Sequence, residues 1–234
     1  MRILTVISNY NEGEIIEKTI EDVRKNASIV TDILVIDNCS TDSSIEQLKR
    51  LKVDYLKHPV NTGGSAGVIK TAFAYAHYHG YDIYCHMDGD NQHMASELDK
   101  IVEPIASNEV DVVTGSRFIT KEGFQSSFAR RIGIHSFSRL MSWVGRRPYS
   151  DITSGFRAYN KKAIDYFALK FKQEIDTIVQ LELVMHYAGL KGKDVPVQMR
   201  PRETGKSEIN FVNAFKFPFY NMISFIGTLI QKPK

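Results

Sequence analysis

Tyr84-Cys85-His86-Met87-Asp88-Gly89-Asp90-Asn91-Gln92-His93 reads as a short, partly apolar strand that runs into two carboxylates one residue apart. In an extended segment residues i and i+2 point the same way, so Asp88 and Asp90 converge at the strand's C-terminal end, with Gln92 next on that side. Two like charges this close are costly unless a cation sits between them. An oxygen donor set, without a thiolate pair or a histidine cluster, suits Mg²⁺ or Mn²⁺, ions that bind phosphates and hold few protein ligands. Ligands of open α/β sheets gather at strand C-termini, so this stretch suggests a nucleotide diphosphate site.

The segments around it alternate between strand and helix. Residues 3–7 form an apolar run, and residues 14–25 carry Ile15, Ile16, Ile20 and Val23 at helical spacing. Ile33-Leu34-Val35-Ile36 is the continuous apolar run of a parallel strand covered on both faces. Thr41-Asp42-Ser43-Ser44 caps a helix running to about residue 51, with Asp42 the capping acid. Strands are expected at 53–57, 81–87, 110–114, 152–160 and 195–199, and helices at 63–79, 98–107, 130–144 and 177–188. Repeated β-α units give an α/β fold with an open, mostly parallel, Rossmann-like sheet flanked by helices. Residues 1–209 read as one domain and residues 210–234 as an amphipathic, aromatic helical tail.

The bulk numbers are those of an ordinary globular enzyme. The 234 residues are 43 % hydrophobic and 24 % charged, with a net charge of +3, too mild to argue for nucleic acid. Cys39 and Cys85 have no metal-type spacing, which favours a reduced, cytoplasmic setting. The first apolar run is too short for a signal peptide, and no stretch suits a transmembrane span.

Other strand-end loops join the acidic one: Ser8-Asn9-Tyr10-Asn11-Glu12, Asp37-Asn38-Cys39-Ser40-Thr41-Asp42, and the glycine-bearing Asn61-Thr62-Gly63-Gly64-Ser65-Ala66-Gly67. Each alone is weak; in this order they resemble the family-two glycosyltransferases of the GT-A fold. Ile7-Ser8-Asn9-Tyr10-Asn11-Glu12 is similar to that family's I-P-x-Y-N-E, with Ser8 in place of proline. Val35-Ile36-Asp37-Asn38-Cys39-Ser40-Thr41-Asp42 resembles V-D-D/N-x-S-x-D, and Asp88-Gly89-Asp90-Asn91-Gln92-His93 resembles D-x-D-x-Q-H. Gly115-Ser116-Arg117-Phe118, Asp151-Ile152-Thr153-Ser154-Gly155-Phe156-Arg157 and Arg202-Glu203-Thr204-Gly205-Lys206-Ser207 resemble the G-S-R-Y/F, D-x-x-S-G-F-R and R-x-x-G-x-S of dolichyl- and polyprenyl-phosphate sugar synthases.

The resemblance implies Tyr10, Glu12 and Asp37 around the nucleotide base, and Asp88, Asp90 and Gln92 on a metal ion and the diphosphate. Gly63 is a further candidate at the nucleotide. Arg117, Arg131 and Arg202 are implied at phosphates of the acceptor or leaving group, and they are counted with Asp90 as the catalytic candidates. The expected function is metal-dependent, inverting transfer of a hexose or N-acetylhexosamine from a UDP- or GDP-sugar to polyprenyl phosphate. The expected location is cytoplasmic, peripheral to the inner face of the membrane. Expected partners are the nucleotide sugar, the lipid phosphate and the membrane surface, with a membrane-embedded subunit or a second copy as further candidates.

The runner-up is transfer to a sugar hydroxyl, for which Glu182 in Gln180-Leu181-Glu182-Leu183 is the candidate base. A sugar-nucleotide-binding partner without turnover is the alternative from another class. Among structural readings, Trp143 is expected to pack, with exposure on a lipid-facing side as the alternative, and Arg130, Arg146 and Arg147 to form a solvated or membrane-facing basic surface. The aromatic and apolar residues of 211–230, flanked by lysines, fit an interfacial helix, with internal packing as the competing reading.

Overall fold

The computed structural model of the chain describes residues 1–120, 128–171, 177–202 and 222–230. Among these, the strands are β1 (Ile3–Asn9), β2 (Asp32–Asp37), β3 (Asp54–Lys57), β4 (Ile83–Asp88), β5 (Val112–Ser116), β6 (Arg157–Asn160) and β7 (Gly192–Pro196). They form one sheet in the order β3-β2-β1-β4-β6-β5-β7. Every pairing is parallel except those of β6, which runs antiparallel to β4 and β5. The helices are α1 (Ile16–Asn26), α2 (Ser44–Arg50), α3 (Gly64–Tyr78), α4 (Leu98–Ala106), α5 (Phe128–Gly145), α6 (Lys161–Asp165) and α7 (Ile178–Tyr187). Residues 222–230 are also helical.

The strand alternation explains the layers. In β1, Ile3 and Ile7 join a cluster with Ile16, Ile20 and Val23 of α1, Leu48 of α2 and Leu98, Ile101 and Ile105 of α4. Leu4 and Val6 face the other way, onto Val68, Ile69, Ala72 and Phe73 of α3, Ile164 of α6 and Leu181 and Val184 of α7. Both faces are covered, which is why the central strands read as unbroken apolar runs. A third cluster joins Met141 of α5, Val179 and Leu183 of α7 and Phe225 of the 222–230 segment.

The structure moves several expected boundaries. The expected strand over 152–160 begins only at Arg157, because Asp151, Thr153 and Ser154 form a turn closed by Ser154 N–H on the Asp151 carbonyl at 3.2 Å. The last strand lies three residues upstream of the expected start, at Gly192. The sequence reading missed residues 161–170, where Asn160 Oδ1 accepts the Ala163 N–H at 3.0 Å and starts α6, which continues as a wider π turn from Tyr166.

Two surface expectations change. Trp143 is 80 % exposed instead of packed, whereas Arg147 is drawn in against Glu182, Asp194 and the Tyr149 ring. In the tail, Phe225 and Thr228 are buried while Ile223, Ile226 and Ile230 are exposed. Tail residues 211–221, including Phe211, Phe215, Phe217 and Tyr220, lie outside the described residues.

Candidate active site

The site is built at the C-terminal ends of three neighbouring strands. Ser8 is in register with Asp88 on β4, and Asn9 with Asp37 on β2. Just past the ladders, Gly89 N–H donates to the Ser8 carbonyl and Asn38 N–H to the Asn9 carbonyl, each at 2.8 Å. The loops after β1, β2 and β4 therefore leave the sheet at one level, the position where open α/β sheets bind ligands.

On the β2 side, Asp37 is buried and engaged. Its Oδ1 accepts from Asn9 Nδ2 at 2.7 Å and its Oδ2 from the Ser40 N–H at 3.0 Å. Tyr10 lies at the rim, 41 % exposed. Gly63 precedes α3 with φ at +79°, and its N–H donates to Asn61 Oδ1 at 2.8 Å. A Cβ on Gly63 would meet nothing nearby, so the left-handed backbone and not crowding selects glycine there.

On the β4 side the acids gather. Asp88 is half-exposed and accepts from the Ser8 hydroxyl at 3.2 Å. Burial works against its charge, but the His93 and His86 rings, the Ser8 hydroxyl and Arg117 outweigh that and hold it below the ordinary carboxylate range. Asp90 is buried, and burial together with the charge of Asp88 raises its pKa. The Glu12 carboxyl is pushed up to about 7, mainly by burial and also by the charges of Asp90 and Asp88, against the pull of Arg202. Three acids within mutual electrostatic reach thus create a demand for positive charge.

Arginines meet part of that demand. Arg202 pairs with Glu12 through Nη2 and approaches Asp90 Oδ2 through Nη1 at 3.4 Å. Arg117 makes a two-pronged pair with the buried Asp151, Nε to Oδ2 at 2.6 Å and Nη2 to Oδ1 at 2.9 Å, and its charge reaches Asp88. Arg131 lies half-buried on α5. Gln92 does not continue along the Asp88–Asp90 side. Asn91 turns left-handed at φ 61°, Asp90 Oδ1 accepts the Gln92 N–H, and the Gln92 side chain donates to the Arg200 carbonyl at 3.3 Å. The strand ends at Asp88 and the chain turns through Gly89 and Asp90 into a left-handed Asn91, which is why the alternation argument stops at Asp88.

Several neighbours were not anticipated from the motifs. Ser8, standing where the family pattern has proline, contributes a hydroxyl to Asp88. Arg200 ties the acidic loop to α1, with Nη1 on Asn91 Oδ1 at 3.0 Å and Nη2 on Asp22 Oδ1 at 2.9 Å. Glu182, the candidate base, is 1 % exposed and paired with the fully buried Arg157 and with Arg147 at 3.0 Å. A signal for this was present: a charged residue amid the apolar Leu181, Leu183 and Val184 of a helix needs a buried partner.

Among the described residues no group of three or more His, Cys, Asp or Glu side chains forms a ready ion cage. Asp88 and Asp90 nevertheless fit an oxygen-preferring divalent ion that draws its remaining ligands from water and a diphosphate, because such ions need only one or two protein carboxylates.

Comparison with known proteins identifies the family. The chain is 26 % identical over 227 residues to an undecaprenyl-phosphate mannosyltransferase of Micrococcus luteus, covering 90 % of this chain and 88 % of the relative. It is 23 % identical over 241 residues to a UDP-N-acetylglucosamine–dolichyl-phosphate N-acetylglucosaminyltransferase of Methanococcus voltae, covering 94 % of both. The fold superposes, with a TM-score of 0.71 and 15 % identity, on glucosyl-3-phosphoglycerate synthase from Mycobacterium tuberculosis in complex with Mn²⁺, UDP-glucose and phosphoglyceric acid, covering 97 % of this chain and 79 % of that one. The family model for glycosyl transferase family 2 matches residues 5–167. With that match over most of its length, the chain belongs to glycosyltransferase family 2 and is a glycosyltransferase of the GT-A fold.

Proposed function

We propose that this enzyme transfers a sugar from a UDP- or GDP-sugar to a polyprenyl phosphate, with a divalent ion held by Asp88 and Asp90. The observation that carries the choice of acceptor is the state of Glu182. Attack by a hydroxyl needs a base within hydrogen-bond reach. The carboxylate at the α7 position is instead sealed into an ion pair with Arg157 and Arg147. A phosphate acceptor is already anionic and needs no strong base. It needs cations that hold it beside a second anion, and Arg117 and Arg202 lie near the acids for that task. The names of the Micrococcus and Methanococcus relatives support the same acceptor class.

In this reading the ion supplies neutralisation of the departing diphosphate. Tyr10 at the rim and the Asp37 loop face the base, and Asp151 fixes the direction in which Arg117 presents its guanidinium. Arg202, held between Glu12 and Asp90, would be released to meet a phosphate were an ion held by Asp88 and Asp90. Gln92 supports the loop through Arg200 unless donor binding draws it in. We further propose that the enzyme sits on the inner membrane surface. No helix among the described residues is long and apolar enough to cross a membrane. Ile223, Ile226 and Ile230 recur on one side of a helix whose Phe225 joins the buried cluster that includes Met141, and α5 also carries the exposed Trp143.

The test is a transfer assay with a panel of UDP- and GDP-sugars, offering short polyprenyl phosphate and free oligosaccharides as competing acceptors. Product on the lipid phosphate supports the proposal. Product only on sugar hydroxyls replaces it with the hydroxyl-acceptor reading.

A further inference from the structure

His86 belongs to none of the motifs above, yet it stands directly behind the acids. Tyr84, His86 and Asp88 alternate along β4, so all three side chains share one face of the sheet. The His86 ring is 1 % exposed, and its Nε2 is buried with no hydrogen-bond partner among the described residues. A buried polar atom left in this way calls for an explanation. The nearest acid to that nitrogen is Asp88, with Oδ1 at 3.8 Å.

The protonation pattern follows from the neighbours. Tyr84 Oη lies 2.6 Å from His86 Nδ1. The phenol O–H is placed to donate to Nδ1. With Nδ1 accepting from the phenol, the ring N–H is on Nε2, which faces Asp88. His93 mirrors this from the other side. Its Nδ1 accepts the Asp88 N–H at 3.0 Å, which leaves Nε2 as the ring nitrogen facing Asp88, 3.7 Å from Oδ2. Phe156 stacks on the His93 ring at 4.9 Å and holds it in place. Each carboxylate oxygen therefore has an imidazole N–H behind it, beyond hydrogen-bond length but within charge–dipole reach.

We propose that His86 is a positioning residue, which with His93 orients the Asp88 carboxylate toward the divalent ion and the donor diphosphate. The inference rests on the metal reading given under Proposed function. Without the Tyr84–His86 prop, the Asp88 carboxylate would be free to rotate, and the ion would lose one of its two protein ligands. The arrangement parallels the general rule that groups behind a metal ligand set its orientation and basicity.

The test is Mn²⁺ affinity of the full chain, read from the electron paramagnetic resonance signal of free Mn²⁺ with UDP or with GDP present. Melting temperature is followed in parallel. The variants are His86→Leu, His86→Gln and Tyr84→Phe. The expected result is about tenfold weaker Mn²⁺ binding in His86→Leu. His86→Gln, whose amide N–H reaches the place of Nε2, should recover most of the loss, and Tyr84→Phe should weaken binding by a smaller factor. A purely packing role would lower the melting temperature of His86→Leu and Tyr84→Phe while leaving Mn²⁺ affinity at the wild-type value, and that result overturns the positioning role alone. If His86→Leu does not fold, unchanged affinity in Tyr84→Phe overturns it equally. If the wild type itself takes up no Mn²⁺ with either nucleotide, the metal reading falls and the inference with it.

Discussion

Arg202 Nη1 lies 3.4 Å from Asp90 Oδ2 while the same guanidinium pairs with Glu12, so one side chain bridges two of the three acids at the strand ends. The guanidinium supplies the positive charge that a divalent ion would bring, so in the proposed reading the two would compete for Asp90. Arg202→Gln should therefore lower the melting temperature in metal-free buffer and enlarge the stabilisation produced by Mn²⁺, while transfer falls. Thermal melts with and without Mn²⁺ check this. A smaller Mn²⁺ shift than in the wild type would mean that Arg202 helps to build the ion site and does not compete with it.

Glu182 separates the structural and catalytic readings of α7. It is 1 % exposed, and its partner Arg157 is fully buried. Glu182→Gln leaves Arg157 without its counter-charge, a change that typically costs about 3–5 kcal/mol. Urea titration should show that loss in the midpoint. A variant with wild-type stability and no transfer would restore Glu182 as a base.

The same pair sets part of the acid sensitivity. Burial opposes ionisation of Glu182, but Arg157 and Arg147 hold its carboxyl below the ordinary 4.5. Asp22 is likewise buried yet held low by Arg200 and the Ala95 N–H. For a depressed carboxyl the unfolded chain takes up protons first. The stabilisation is thus complete above the unfolded pKa and is lost as pH falls through the folded one. The Glu182 and Asp22 contributions should be complete from pH 7 to about 5 and lost below about 4, so the acid limb of the urea midpoints should be flatter in Glu182→Gln than in the wild type.

Gly155 presses on Asp88 from the neighbouring loop. A Cβ there would lie 3.1 Å from Asp88 Oδ2. The carboxylate can yield by rotating, so Gly155→Ala should fold with nearly unchanged melting temperature but bind Mn²⁺ and nucleotide sugar several-fold more weakly. Calorimetry of both ligands tests this, and unchanged affinities would show that the Asp88 rotamer is not critical.

Trp143 is 80 % exposed on a helix that shares its inner cluster with the 222–230 segment. Trp143→Ala and Ile226→Asp should leave stability almost untouched and reduce co-sedimentation with anionic liposomes. Undiminished liposome binding in both variants would place the membrane contact elsewhere.

The sheet was legible because Ile33-Leu34-Val35-Ile36 and its counterparts are buried on both faces and leave no alternation to misread. Asp88 and Asp90 were legible because strand geometry carries as far as Asp88, and the turn that follows still leaves Asp90 near it. Gln92 was placed by extending that geometry past Asn91, where the backbone becomes left-handed. Arg147 looked like surface because its partners, Glu182 and Asp194, are far away in sequence. Trp143 looked like core because size and hydrophobicity do not say which side of a helix a residue occupies. The Tyr84–His86–Asp88 alternation was present in the opening stretch, but a buried histidine inside a strand carries no sign of which nitrogen is left over.

The most direct test is transfer of labelled sugar from UDP- and GDP-sugars to a short polyprenyl phosphate, with Mn²⁺ and with excess chelator. The expected result is a polyprenyl-phosphate sugar formed from one donor with Mn²⁺, abolished by chelator and by Asp90→Ala, while Asp90→Ala remains folded. Undiminished transfer in chelator by a metal-free enzyme, or sugar appearing only on free hydroxyl acceptors, would contradict it.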